Sequence, residues 1–308
     1  MPSLQSHLFL FVLRNRHLLS FKLKKETAVD WETSLPEVRR AAEKTAKMLG
    51  RLPKGIEAYP VAVDGLLAEW IQPAQAVKDK VILYFHGGGY VLGSIQAHRG
   101  IVSKFVKGSG VAALLFDYRL APEHPFPAAL DDALAAYRWL LAEGVSPSKI
   151  VFAGDSAGGG LCLATLIALR DQGVPLPAAA VALSPWTDAK NTGETLRTNA
   201  SLCLSPVNSW VACSKHYAGN NDPGLPYISP LYGDLRGLPP ILIYAGGHET
   251  LLSDSTRFAE KAKNAGVEVT LKVGEGMFHC YPACSPLFPE AKHAMNEICA
   301  FIQRRIGK

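Results

Sequence analysis

The sequence predicts an α/β fold: a mostly parallel central sheet flanked by helices, with a helical cap. Three observations carry this. From residue 81 onward, short apolar runs alternate with segments of helical periodicity. The runs are apolar almost throughout, as strands covered on both faces are. Two segments, 1–50 and roughly 187–228, interrupt the alternation.

The runs are VILYF (81–85), VAALLF (111–116), KIVFAG (149–154), AAVALS (179–184), ILIYAG (241–246) and VEVTLKV (267–273). The clearest helical patterns between and after them cover 128–143, 157–171, 252–265 and 289–305. Such alternation implies parallel pairing, because each helix carries the chain back along the sheet. EAYPVAVDG and LLAEWIQ (57–72) predict an antiparallel edge hairpin. The division that follows is a cap of 1–50 plus roughly 187–228, over an α/β domain of 51–186 and 229–308. The cap is expected at the carboxyl edge of the sheet, where open α/β sheets bind ligands.

Composition narrows the function classes. The 308 residues are 48% hydrophobic and 19% charged, as in ordinary globular chains, which excludes disorder. No run reaches the 18 apolar residues of a membrane span. The net charge of +5 is matched by Arg14, Arg16, Lys22, Lys24 and Lys25, with no acid among residues 1–25. The rest of the chain is neutral, which argues against nucleic acid as a partner. The basic start reads as a solvated helix face, with anionic lipid as the alternative contact. LFLFVL (8–13) has its positive charge after it rather than before it, unlike a secretory signal, so it is expected to be a helix of the mature chain. The six cysteines form no CxxC pair, which predicts free thiols, no metal site and a reducing cytoplasm.

Chemistry concentrates in a few motifs. GDSAGG (154–159) follows a strand and opens a helix, and contains G-x-S-x-G. A serine at such a turn is pushed out of the sheet toward substrate, and flanking glycines avoid clashes in the bend. Ser156 is therefore the candidate nucleophile, and Asp155 reads as structural. HGGGY (86–90) follows VILYF. Its glycines let backbone N–H groups face an oxyanion. Gly88 and Gly89, with the N–H of Ala157, are the candidate donors. Neither glycine run fits a phosphate-binding pattern. His86 precedes the nucleophile and is expected to brace the glycine loop. Tyr90 and Trp186 adjoin these loops as candidate pocket residues, with core packing as the alternative.

HGGGY, DYRLAPEHPFPA (117–128), GDSAGG, SPWTD (184–188) and EGMFHCYP (275–282) together resemble the hormone-sensitive-lipase family of esterases and lipases, within the α/β-hydrolase fold. The resemblance covers most of 57–305. It implies cofactor-free hydrolysis of small carboxylic esters of short to medium acyl length by a Ser-His-acid triad. It also implies a structural role for Tyr118, Arg119, Pro122 and Glu123. In this fold the triad runs Ser, acid, His along the chain. His279 follows Ser156 and the acidic loop and sits just after a predicted strand. His293 lies within a helical pattern and His248 comes too early.

The acid comes from AGGHETLLSD (245–254). Glu249 lies just past a strand end, within reach of the carboxyl edge. Asp254, the other candidate, falls in the first helical turn, where capping and the helix dipole suffice to explain an acid. The family pattern Asp-x-Leu, aligned here, also puts Glu249 on the catalytic position. A glutamate can equally hold the imidazole tautomer. The expected activity is that of a serine carboxylesterase. The alternatives are a non-catalytic receptor on the same fold, and dehydratase or peptidase-like chemistry on the same triad. Homo-oligomerisation is left open.

Overall fold

A computed structural model describes residues 2–15, 34–41, 52–74, 79–205 and 207–307. The expected cap therefore extends in part, over 16–33 and 42–50, outside the described residues, and with it Arg16, Lys22, Lys24 and Lys25.

Eight strands form one sheet in the order β1-β2-β4-β3-β5-β6-β7-β8. These are β1 (Ile56–Val63), β2 (Leu66–Pro73), β3 (Val81–Phe85), β4 (Ala112–Phe116), β5 (Ile150–Asp155), β6 (Ala179–Leu183), β7 (Ile241–Gly246) and β8 (Val269–Gly274). The first two pair antiparallel, and β2 pairs antiparallel with β4. Every pair from β4 through β3 to β8 is parallel. The hairpin closes on Asp64 and Gly65, both at positive φ. That is what a two-residue turn matched to the strand twist requires.

The continuous apolarity of the central strands has a direct cause. Leu83, Leu114 and Phe152 face one side layer, while Ile82, Ala113 and Val151 face the other. Successive side chains point to opposite faces, and both faces are covered. The first layer is built by α4 (Ala128–Ala142), α5 (Ala157–Asp171) and α8 (Leu252–Asn264). The second is built by α3 (Ile95–Ser109) and α9 (Pro289–Arg305), and α1 (Leu4–Arg14) packs onto α9. A helical stretch at 35–41 counts as α2. The edge strand β8 is only partly covered, and there apolar and polar residues alternate.

Three features are not marked in the sequence. Helix α3 was not among the clear helical patterns, because its buried face includes His98, Ser103 and Ser109. Arg119 forks onto Asp132, and Glu123 meets Arg39. The segment 187–228 carries two helices, α6 (Thr195–Thr198) and α7 (Val207–Ala218). Among the described N-terminal residues, α1 packs through Phe9 on Phe278 and Phe288, and reaches the 187–228 segment through Arg14 to the Leu202 carbonyl. Arg39 donates to the Val91 and Ala121 carbonyls.

Candidate active site

Ser156 follows the last residue of β5 and precedes α5, at φ 54° and ψ −121°. A non-glycine residue rarely holds such angles, and here its surroundings enforce them. Its N–H donates to the Leu183 carbonyl, and its carbonyl accepts from Gly160 and Trp186. A Cβ on Gly158 would collide with the Phe85 and His86 carbonyl oxygens, and one on Gly160 with that of Trp186. Glycine there lets α5 press against two neighbouring loops.

β7 ends at Gly246 and β8 at Gly274. The loops beyond them bring Glu249 and His279 to Ser156. The Ser156 Oγ lies 2.9 Å from His279 Nε2, and His279 Nδ1 lies 2.7 Å from Glu249 Oε2. With Nδ1–H donating to the carboxylate, Nε2 is free to accept the serine proton. Glu249 is fully buried. Burial works against a charged imidazole, but Cys280 and Glu249 outweigh it and hold His279 well above its ordinary value. Burial also pushes the Cys280 thiol up. A neutral thiol supplies no charge, so the Glu249 carboxylate is the lasting source of the shift. The Trp210 ring meets the His279 ring edge to face, with centroids 5.5 Å apart.

Asp254 does not lie in this chain of contacts, and it does not cap α8 either. The N-cap residue of α8 is Leu251, and it makes no side-chain cap. Instead Asp254 Oδ2 accepts the N–H groups of Thr187 and Asp188, at 2.8 and 2.9 Å. It is fully buried, and its Oδ1 has no partner among the described residues. Burial, reinforced by nearby Asp188, pushes its carboxyl up to about 8. The capping explanation is thus replaced by a long-range clamp on the SPWTD loop.

Gly88 and Gly89 have φ values of 127° and 64°, and Ala157 is the first residue of α5. Among the described residues, none of their three N–H groups donates to a protein acceptor. That leaves them able to receive an anion beside Ser156. Gly87 N–H donates to Asp155 Oδ1 at 3.1 Å, and Tyr84 donates to the same oxygen at 2.9 Å. Asp155 therefore fastens the glycine loop to the serine turn, a link the sequence did not reveal. Burial alone would push Asp155 up, but His98 and the Tyr84 hydroxyl hold it below the usual carboxylate range. His86 is buried, stacks on Tyr118, and lies 2.9 Å from the Gly87 carbonyl through Nδ1. Burial and neighbouring His98 push it down to about 3, so it stays neutral and donates to that carbonyl.

Tyr90 and Trp186 are 2% and 1% exposed, and Tyr90 stacks on Tyr217. The side chains that overhang the reacting loops come from α7. Trp210 faces His279, and Cys213 leaves no room for a Cβ on Gly89. Neither was singled out from sequence. The available signal was a tryptophan, Trp210, in an otherwise polar segment.

A family model described as alpha/beta hydrolase fold matches residues 82–283. An acetyl-hydrolase of Streptomyces hygroscopicus is 40% identical over 91% of this chain and 94% of its own. A crystal structure of an esterase from the bacterial hormone-sensitive lipase family superposes with a TM-score of 0.90 at 42% identity, covering 100% of both chains. A crystal of EstE5 soaked with p-nitrophenyl butyrate superposes with a TM-score of 0.90 at 40% identity, covering 99% of each chain.

Proposed function

The chain belongs to the α/β-hydrolase family, in the hormone-sensitive-lipase group of esterases, and on that premise we propose that Ser156, His279 and Glu249 are its catalytic triad. The protein is a carboxylesterase. The observation that supports the triad is the unbroken path from Ser156 Oγ through His279 to Glu249 Oε2.

Ser156 Oγ attacks the ester carbonyl as His279 Nε2 takes its proton. Charge gathers on the carbonyl oxygen and is met by the N–H groups of Gly88, Gly89 and Ala157. Glu249 keeps Nδ1–H oriented and stabilises the imidazolium. His279 then returns the proton to the leaving alcohol. A water attacks the acyl-serine with the same base, releasing the acid and regenerating Ser156. Ester, water and these side chains account for every atom transferred.

The substrate class is a small ester of short to medium acyl length. A relative named acetyl-hydrolase and a neighbour soaked with a butyrate ester support that range. Ser156 is itself only 7% exposed, and Trp210 stands against His279 while Cys213 crowds Gly89, which favours a slim acyl chain. The cap is assigned to 1–50 and roughly 187–228. Among the described residues no helix is long and apolar enough to cross a membrane. Six free cysteines support a reducing, cytoplasmic setting.

The test is a p-nitrophenyl ester series from acetate to palmitate. Turnover is expected on the short members and to fall off along the series. Ser156→Ala should lower kcat by about three to six orders of magnitude. Undiminished hydrolysis by that variant would end the proposal.

A further inference from the structure

The loop that carries Glu249 is held from two sides. On one side its backbone rests on the segment leading to His279: Gly247 N–H donates to the Gly274 carbonyl and His248 N–H to that of Met277, each at 2.8 Å. On the other side stand residues of the 187–228 segment. The Asn199 amide donates to the carbonyls of Gly247 and Glu249, at 3.1 and 3.0 Å. Thr195 Oγ1 donates to the Thr250 carbonyl at 2.7 Å, and Trp210 Nε1 to the Thr250 hydroxyl at 3.0 Å. These bonds span 40 to 55 residues of sequence, so folding of the sheet alone does not supply them.

We infer that Asn199 is a positioning residue for catalysis: its two-carbonyl clamp sets the Glu249 carboxylate against His279, which makes seating of the cap segment a condition for an assembled triad. The inference rests on the esterase reading above. The Glu249 side chain leaves the backbone between carbonyls that Asn199 and Thr195 hold, so a shift of that backbone moves the carboxylate directly. Glu249 Oε1 has no partner among the described residues. Among the described residues, the carboxylate's one hydrogen bond is therefore to His279, and the backbone sets the position from which it reaches. Displacing a catalytic group by about 1 Å costs on the order of a hundredfold in rate.

The experiment compares Asn199→Ala and Asn199→Asp with the parent, each also in a Glu249→Gln background, with Ser156→Ala alongside. Asn199→Asp keeps the shape but sets a carboxylate against two carbonyl oxygens, so it serves even if the alanine variant folds poorly. The expected result is a fall in kcat of about 10- to 100-fold in the parent background, with KM changed less than about threefold. In the Glu249→Gln background the same changes should cost almost nothing further, since the group they act through is gone. In Asn199→Ala, which adds no charge, the acid limb of the kcat/KM profile should also move to lower pH, because a loosened carboxylate no longer raises His279 as far. Equal losses in both backgrounds, with the acid limb unmoved, would overturn the inference. Loss of activity in Ser156→Ala but not in Glu249→Gln would also overturn it while leaving the esterase reading intact. Full activity in Ser156→Ala would defeat the esterase reading itself.

Discussion

Glu249 and Asp254 share one loop-to-helix segment, and neither side chain reaches solvent. Their partners differ in kind. Glu249 meets a titratable ring that in turn meets a serine. Asp254 meets two backbone N–H groups on a loop 66 and 67 residues away. The first arrangement can respond when a proton moves. The second holds a loop in place, because a peptide N–H can neither take up nor pass on a proton. Burial alone therefore does not mark an acid as catalytic. What its oxygens touch decides.

The largest expected effect separates the two acids. Glu249→Gln should lower kcat by about four orders of magnitude, as loss of the orienting carboxylate does in other triads. Asp254→Asn should lower it less than about tenfold, since the amide oxygen can still accept both N–H groups. Steady-state kinetics on a short p-nitrophenyl ester reads both, and a larger loss in the Asp254 variant would reverse the comparison. Stability should rank them the other way. Asp254→Ala strands two buried N–H groups and should cost about 2–4 kcal/mol, seen as a lower urea midpoint. An unchanged midpoint would remove the clamp.

The same clamp also makes stability depend on pH. A folded-state value of about 8 lies above the ordinary carboxylate value of 3.8. Between those two values the folded chain holds a proton that the unfolded chain has released. The group's contribution is thus fully present below the ordinary value and is lost as pH rises toward about 8. Thermal unfolding of the parent should therefore lose ground to Asp254→Asn across that window. Parallel curves would mean that Asp254 is ionised in the fold.

Much of the architecture was legible because it is local. Strands β3 to β7 announce themselves as apolar runs, and Asp64-Gly65 marks the hairpin by its need for positive φ. GDSAGG marks the serine turn because only small residues fit where α5 crosses the Phe85 and His86 carbonyls. Position past a strand end, chain order and family pattern each point to Ser156, Glu249 and His279, and the structure brings their polar atoms within 2.9 Å of one another in turn. Helix α3 was harder to read, since three polar residues on its buried face blur the apolar stripe.

The sequence by itself determined which segments are strands, where the serine turn falls, and which acid stands close enough to a strand end to reach the carboxyl edge. Periodicity and backbone strain are properties of neighbours in the chain, so they show in its letters. Only the tertiary structure decided that Asp254 clamps the Thr187–Asp188 backbone, that Asp155 holds the glycine loop, and that Asn199 grips the loop of Glu249. Those choices depend on partners some 50 to 70 residues away. A side chain's own letter states what bonds it can make, and only the folded chain states which groups it meets.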